Sequence, residues 1–263
     1  MIDREKAEKA FIDYTSSYDN SDPMIRQKID HTFRVADLSD RLAQSLGMDN
    51  NGIDLSWLIG LLHDFGRFEQ IKRFGTFSDS QSVDHAELGA DILFKDGKIQ
   101  LFSDAGLLQD DFLLIETAVR LHNKLSLPDN LDENTKVFCQ LIRDADKLDI
   151  FRVLCEIPFE TLAGKNSRLT EKEKASEECM EYVYKHSCIP RELVQSRFEL
   201  RIAHICMAFE LCFKESLKIA KEDGYVNKLL SASDEKGNPL WNEAECQQLE
   251  ILKKELEKAW YMA

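Results

Sequence analysis

The sequence predicts an all-α protein, and three observations carry that prediction. Apolar residues recur at helical spacing over long stretches, as expected where one face of each helix turns inward. No alternating Val, Ile or Thr run is long enough for a strand. Only five Pro and eleven Gly interrupt 263 residues, too few breakers for a chain of short strands and tight turns.

The elements follow in order. Asp22-Pro23 is an N-cap followed by Pro in the first turn, and opens a helix that runs to about Leu46 and stops at Gly47. Its inward stripe is Met24, His31, Val35, Leu38 and Leu42. Asp54 caps a second helix carrying Leu55, Leu58, Ile59 and Leu62, which ends at His63-Asp64 with Gly66 as its stop signal. Residues 67–83 read as a polar loop. Asp84 then caps a third helix, with Glu87 placed for a capping-box contact. After loop-like residues 96–109, a fourth helix covers about Asp110 to Lys124 with the stripe Ile115, Ala118, Val119, His122. Pro128 marks a turn, and a fifth helix runs from about Glu133 to Leu154. Residues 170–186, 191–222 and 240–262 read as further helices, the last two separated by Gly224 and the stretch from Ser231 to Pro239. No Gly/Ser-rich or Pro-rich linker divides the chain. The expectation is one helical domain over residues 1–263, with a core at 24–155 and a helical extension at 156–263.

Composition narrows the classes of function. Hydrophobic residues make up 43% of the chain, an ordinary globular content that argues against disorder. The formal net charge of −14 repels nucleic-acid backbones and anionic lipid, so neither long nucleic acid nor a membrane is an expected partner. No apolar run approaches the ~20 residues that span a bilayer. The opening Met1-Ile2-Asp3-Arg4-Glu5-Lys6 is charged and lacks a signal-like apolar stretch, so a cytoplasmic location is expected. Seven Cys without a Cys-x-x-Cys pair read as free thiols. Cys206 and Cys212 fit no zinc-ligand spacing.

Four of the six His fall at informative places. His31 lies on the first helix's inward stripe, and His63-Asp64 ends the second helix. His85 opens the third, and His122 lies on the stripe of the fourth. An imidazole or carboxylate facing a core is costly unless satisfied. One such His finds a backbone carbonyl; four His with two or more Asp from separate helices point to an organising cation. Mixed imidazole and carboxylate donors suit Mn, Fe, Ni, Co or Zn. Such a cation lowers the pKa of bound water, and a second holds phosphoryl oxygens, which is the chemistry of hydrolysis. The fifth helix adds Arg143-Asp144-Ala145-Asp146-Lys147. Residues two apart on a helix point ~200° away from each other, so Asp144 and Asp146 cannot both face one metal, and geometry alone leaves the choice open.

The order His31, then His63-Asp64, then an Asp in an Ala-Asp-Lys-Leu context resembles the HD-domain superfamily of metal-dependent phosphohydrolases. His31-x-x-Arg34-Val35-Ala36 and Leu61-Leu62-His63-Asp64-Phe65-Gly66-Arg67 are similar to its first two motifs. The resemblance covers about residues 24–155. It implies an all-helical fold and one metal held by His31, His63, Asp64 and a last Asp that follows Ala, which is Asp146 here with Asp144 as the fallback. It further implies a binuclear branch. His85-Ala86-Glu87-Leu88-Gly89 and His122-Asn123 resemble that branch's two extra His motifs, with Asp64 bridging the ions.

Three more residues are catalytic candidates. Arg67 belongs to a local basic cluster with Lys72 and Arg73 beside the His-Asp pair, a feature that suits an anionic substrate in an otherwise acidic chain. Glu69 is placed to hydrogen-bond water at the metal as a base. Lys147, next to the last ligand, either meets phosphate or forms a surface ion pair. The Gly-hinged stretch Gly75 to Ser82 joins two ligand-bearing segments and serves as a site cover or a plain connection. His186 reads as a surface residue and His204 as packed; Trp57, Trp241 and Trp260 read as packing residues.

The leading expectation is hydrolysis of a phosphate ester or anhydride of a nucleotide or related small anionic molecule. The same ligands serve a mixed-valence di-iron oxygenase, and a non-catalytic ligand sensor keeps the fold without needing them. The apolar face of 191–222 has two uses, burial in its own domain or a homodimer contact.

Overall fold

The computed structural model describes residues 1–156, 169–170, 172–231, 233 and 236–262, with 261 and 262 described by backbone alone. The described residues are helical with no strand; two isolated bridges, Thr170 with Ser196 and Ser233 with Pro239, are the only β pairings among them. Residues 157–168 of the expected extension lie outside the described set. Two compact units are present, Met1–Asp146 and Lys147–Ala263. Among the described residues no helix is long and apolar enough to cross a membrane.

The first unit opens with α1 (Arg4–Thr15), a helix the sequence reading did not anticipate. Its buried face is only Ala7, Phe11 and Thr15, too short a stripe to register as periodicity. Phe11 packs edge-on against Phe33 and Phe68, and Tyr14 stacks on Phe65 with centroids 3.8 Å apart. Tertiary burial makes this helix stable rather than intrinsic propensity.

α2 (Pro23–Ser45) begins as expected, with Asp22 accepting from the Met24 amide and Pro at the first turn. Ile25 occupies the inward position, whereas Met24 is exposed. α3 (Asn50–Leu62) starts earlier than expected. Asp49 is the cap, and Asp54 lies within the helix, accepting from the Ile2 amide at 3.0 Å and pairing with Arg4. α3 is buried almost all round, so its apolar content shows no preferred face. α2 and α3 cross closely at Gly60, where an added Cβ would lie 2.6 Å from the Ala36 Cα. That backbone approach brings the His31 and His63 rings to 5.3 Å between centroids.

α4 (Phe65–Phe74) takes the first half of the expected loop at 67–83, and residues 75–83 remain irregular but for a 3-10 turn at Asp79–Gln81. The buried residues of α4, Phe65, Gly66, Phe68 and Gln70, include a glycine and an amide, which disguise the inward face in sequence. Gly66 is therefore no helix stop. It sits inside α4 where an added Cβ would meet the His85 carbonyl at 2.3 Å and the Gly89 nitrogen at 2.5 Å. This close approach seats α4 on α5 (His85–Ala90). Asp84 caps α5 through the amides of Ala86 and Glu87. The Glu87 carboxylate pairs instead with Arg120 and Lys124, so the expected capping box is half formed. Residues 98–105 form 3-10 turns rather than loop. α6 (Phe112–Leu121) carries Ile115, Ala118 and Val119 inward. α7 (Glu133–Glu156) holds Phe138, Leu141, Ile142 and Ala145 in the core.

The second unit contains α8 (Glu177–Tyr184), α9 (Arg197–Cys206), α10 (Lys214–Asp223), α11 (Tyr225–Leu229) and α12 (Glu243–Met262). The long helix expected over 191–222 is thus broken into α9, a 3-10 turn at Met207–Glu210 and α10. No Gly or Pro marks the break. The Ala208 carbonyl accepts instead from the Trp260 indole at 3.1 Å, so a tertiary partner takes a backbone group the helix would otherwise use. α9 begins with a full capping box of Ser196 and Glu199. The buried Glu199 carboxylate also accepts from the amides of Ser176 and Gln195.

Candidate metal centre

Six side chains of the first unit converge on one buried cluster. His31 stands on α2, His63 and Asp64 lie between α3 and α4, and His85 is the first residue of α5. His122 follows the last turn of α6, and Asp146 lies on α7. All four imidazoles and Asp64 are under 5% exposed, so each must find a polar partner. Of the two α7 candidates, Asp146 faces the histidines: its Oδ1 is 3.1 Å from His31 Nε2 and 3.7 Å from His63 Nε2.

Asp64 divides the cluster. Its Oδ2 lies 3.6 Å from His31 Nε2 and 3.5 Å from His63 Nε2. Its Oδ1 lies 3.3 Å from His85 Nε2 and 3.8 Å from His122 Nε2. Donor atoms of His31, His63 and Asp64 lie within 4.8 Å of one another, as do those of Asp64, His85 and His122 and of His63, His122 and Asp146.

Hydrogen bonds at Nδ1 hold the rings of His63, His85 and His122 in orientation. His63 Nδ1 donates to the Gly60 carbonyl at 2.7 Å, and His122 Nδ1 donates to the Val119 carbonyl at 2.7 Å. His85 Nδ1 donates to Asp79 Oδ2 at 2.7 Å. Each lock turns Nε2 toward the cluster, as in metal-ligating imidazoles whose other nitrogen is held by a carbonyl or carboxylate. His63 Nε2 is buried with no hydrogen-bond partner. His85 and His122 point Nε2 at one another across 3.0 Å, an arrangement that needs a proton or a cation between two lone pairs. These buried His and Asp groups fit a divalent metal ion.

Electrostatics agree. Burial disfavours charge on His63, yet Asp64 and Asp146 outweigh it and raise its pKa to about 10. Without metal the imidazolium is thus the counter-ion of two carboxylates. Burial resists ionisation of Asp64 as well, but Lys28 and His63 hold it well below the usual carboxylate range. Burial, with His85 and His63 nearby, pushes His122 down to about 3. A raised His63 pKa stabilises the metal-free fold fully below about 6.5, and that contribution is lost as pH rises through about 10. Metal uptake at pH 8 must displace this proton. Calorimetric titration in buffers of different ionisation enthalpy should show release of roughly one proton per primary metal. Heats that do not depend on the buffer would remove His63 from the ligand set.

Of the other candidates, Arg67 lies beside the cluster, with Nε 3.5 Å from Asp64 Oδ1. Its Nη1 is committed to Asp79 at 2.8 Å, the Phe77 carbonyl at 2.6 Å and Gln70 at 2.9 Å. The Glu69 carboxylate is engaged by Arg73 at 2.7 Å and the Tyr18 hydroxyl at 3.1 Å. Lys147 pairs with Glu210 at 3.1 Å.

Sequence reasoning missed two participants. Lys28 places its ammonium 2.6 Å from Asp64 Oδ2; its position three residues before His31 on α2 was the available signal. Asp79, in a polar segment without periodicity, accepts from Arg67, Gln70 and His85 at once. The segment Gly75 to Ser82 is tied down by these bonds: buried Gln70 also donates to Ser82 Oγ and the Val83 carbonyl.

Residues 29–150 match the family model described as HD domain. No curated protein and no solved structure matches alongside it. The matched stretch holds all six clustered side chains, in a helical setting and in the order His, His-Asp, His, His, Asp. Over residues 29–150 this chain is therefore similar to the HD-domain family.

Proposed function

We propose that the chain is a metal-dependent phosphohydrolase acting on a phosphate ester or anhydride of a nucleotide or related small molecule, with two cations sharing Asp64. The supporting observation is the split of the Asp64 carboxylate, one oxygen toward His31 and His63 and the other toward His85 and His122. His31, His63, Asp64 and Asp146 would hold the primary ion, and His85, His122 and Asp64 the second. When bound, such ions supply an activated water and neutralise phosphoryl charge.

The chain's own residues do the rest. Asp79 holds the His85 ring in place and keeps the Arg67 guanidinium against Asp64. Lys28 places its ammonium 2.6 Å from Asp64, and its side chain is 21% exposed. It is suited to meet a phosphoryl oxygen while Asp64 holds its charge in position. Arg67 uses its Nη1 on Asp79, the Phe77 carbonyl and Gln70, so Lys28 is the cation to test first. Lys28→Met is expected to reduce kcat/KM by roughly 10²-fold with both metals retained, since one donor to a developing oxyanion carries about that weight. Unchanged kcat/KM would assign the phosphate contact elsewhere.

The direct test loads the protein with Mn, Co, Ni, Fe or Zn and assays phosphomonoesters, nucleotides and cyclic dinucleotides. Metal-dependent release of phosphate or nucleotide is the expected result. Inactivity on the whole panel with metal bound would overturn the proposal.

A further inference from the structure

Arg143 lies on α7 three residues before Asp146 and is 8% exposed. Its guanidinium is spread over backbone carbonyls at the end of α6. Nη1 donates to Leu121 at 3.3 Å, to His122 at 3.5 Å and to Lys124, and Nη2 donates to Leu125 at 3.3 Å. A helix end presents carbonyls without partners and a partial negative charge. Arginine is the side chain that answers both, because its planar fork carries five donors and a permanent charge.

The carbonyls it gathers belong to the turn that bears His122. That ring is held on its other side by the bond from Nδ1 to Val119, which leaves Nε2 facing His85 at 3.0 Å and Asp64 at 3.8 Å. The ring also packs edge-on against His63 and His85. The course of the chain after α6 bears on where Nε2 lies, and Arg143 is bonded to that stretch.

We propose that Arg143 is a positioning residue for the second cation set, clamping the turn 121–125 to the helix that carries Asp146. His122 and Asp146 then keep a constant separation, and the two sets are held as one unit. This rests on the two-cation reading above. A generic stabilising cap would strengthen the fold without bearing on His122, so the test must read His122 itself.

The variants are Arg143→Gln and Arg143→Lys, each first shown to be folded by circular dichroism. In the metal-free protein, nitrogen-15 histidine spectra report which ring nitrogen carries the proton. Wild type should show His122 with Nδ1 protonated and Nε2 bare. Arg143→Gln should show both tautomers at His122 while the His63 signals stay as in wild type. In titration with Co(II), Arg143→Gln should bind the second equivalent at least about tenfold more weakly, the scale of an outer-shell partner's loss. The first equivalent should be unaffected, and Arg143→Lys should recover part of the loss. Unchanged His122 spectra and unchanged second-metal affinity in folded Arg143→Gln would overturn the inference, whatever happens to the melting temperature. Should the Gln variant not fold, the Lys variant is read by the same criteria, because a point donor cannot span four carbonyls. A wild-type protein that takes up only one metal would overturn the two-cation reading, and the His122 spectra would still decide the role of the arginine.

Discussion

Asp64→Ala is expected to leave the protein without either bound cation and to lower metal-dependent activity by at least about 10³-fold. The reason is geometric. Among the described residues Asp64 is the carboxylate placed between His31 and His63 on one side and His85 and His122 on the other. Its loss also strands charge, since Lys28 and the His63 imidazolium both rely on it. Removing one partner of a buried ion pair costs about 3 kcal/mol or more, although deprotonation of His63 recovers part of this. Elemental analysis of the purified variant and a urea titration at pH 7 provide the readouts. His85→Ala gives the contrast: it should keep the primary metal and lose the second. An Asp64→Ala protein that still holds two metals per chain would dismiss the bridging arrangement.

The largest stability effect is expected from Gly66→Ala, a change of one methyl group. Its Cβ would lie 2.3 Å from the His85 carbonyl, 2.5 Å from the Gly89 nitrogen and 2.9 Å from the Gly89 Cα. All three are backbone atoms, so no side chain can rotate aside; α4 and α5 must move apart. Overpacking of this kind costs about 3 kcal/mol, and here it also displaces His85. The variant should melt well below wild type and bind the second cation weakly. Gly89→Ala meets the Gly66 nitrogen at 2.8 Å and should be the milder of the two. If Gly66→Ala melts with the wild type, the close approach of α4 and α5 is wrong.

The sequence by itself determined the helical class, because spacing of apolar residues is a local property. It also determined most of the cluster. His31, His63, His85 and His122 each fall on an apolar stripe or at a helix end, positions where an imidazole needs a reason. The choice of Asp146 over Asp144 came from a motif, since the two point to different sides of α7 and only the folded structure shows that Asp146 is the one directed at His31.

The tertiary structure decided the rest. α1 and α4 carry too little periodic apolar surface to declare themselves, and they exist because Phe11, Tyr14, Phe65 and Phe68 bury one another. Gly66 looked like a stop signal because a glycine's local meaning is conformational freedom, whereas its meaning here is the space between two backbones. Asp79 and Arg143 were silent for a related reason. Each acts on a histidine through partners distant in sequence, Asp79 on His85 across a polar segment and Arg143 on the turn of His122 from another helix. Ligands can be read from a chain because chemistry restricts their residue type. The groups that hold ligands in place are restricted only by where the folded backbone passes, and that is settled by packing.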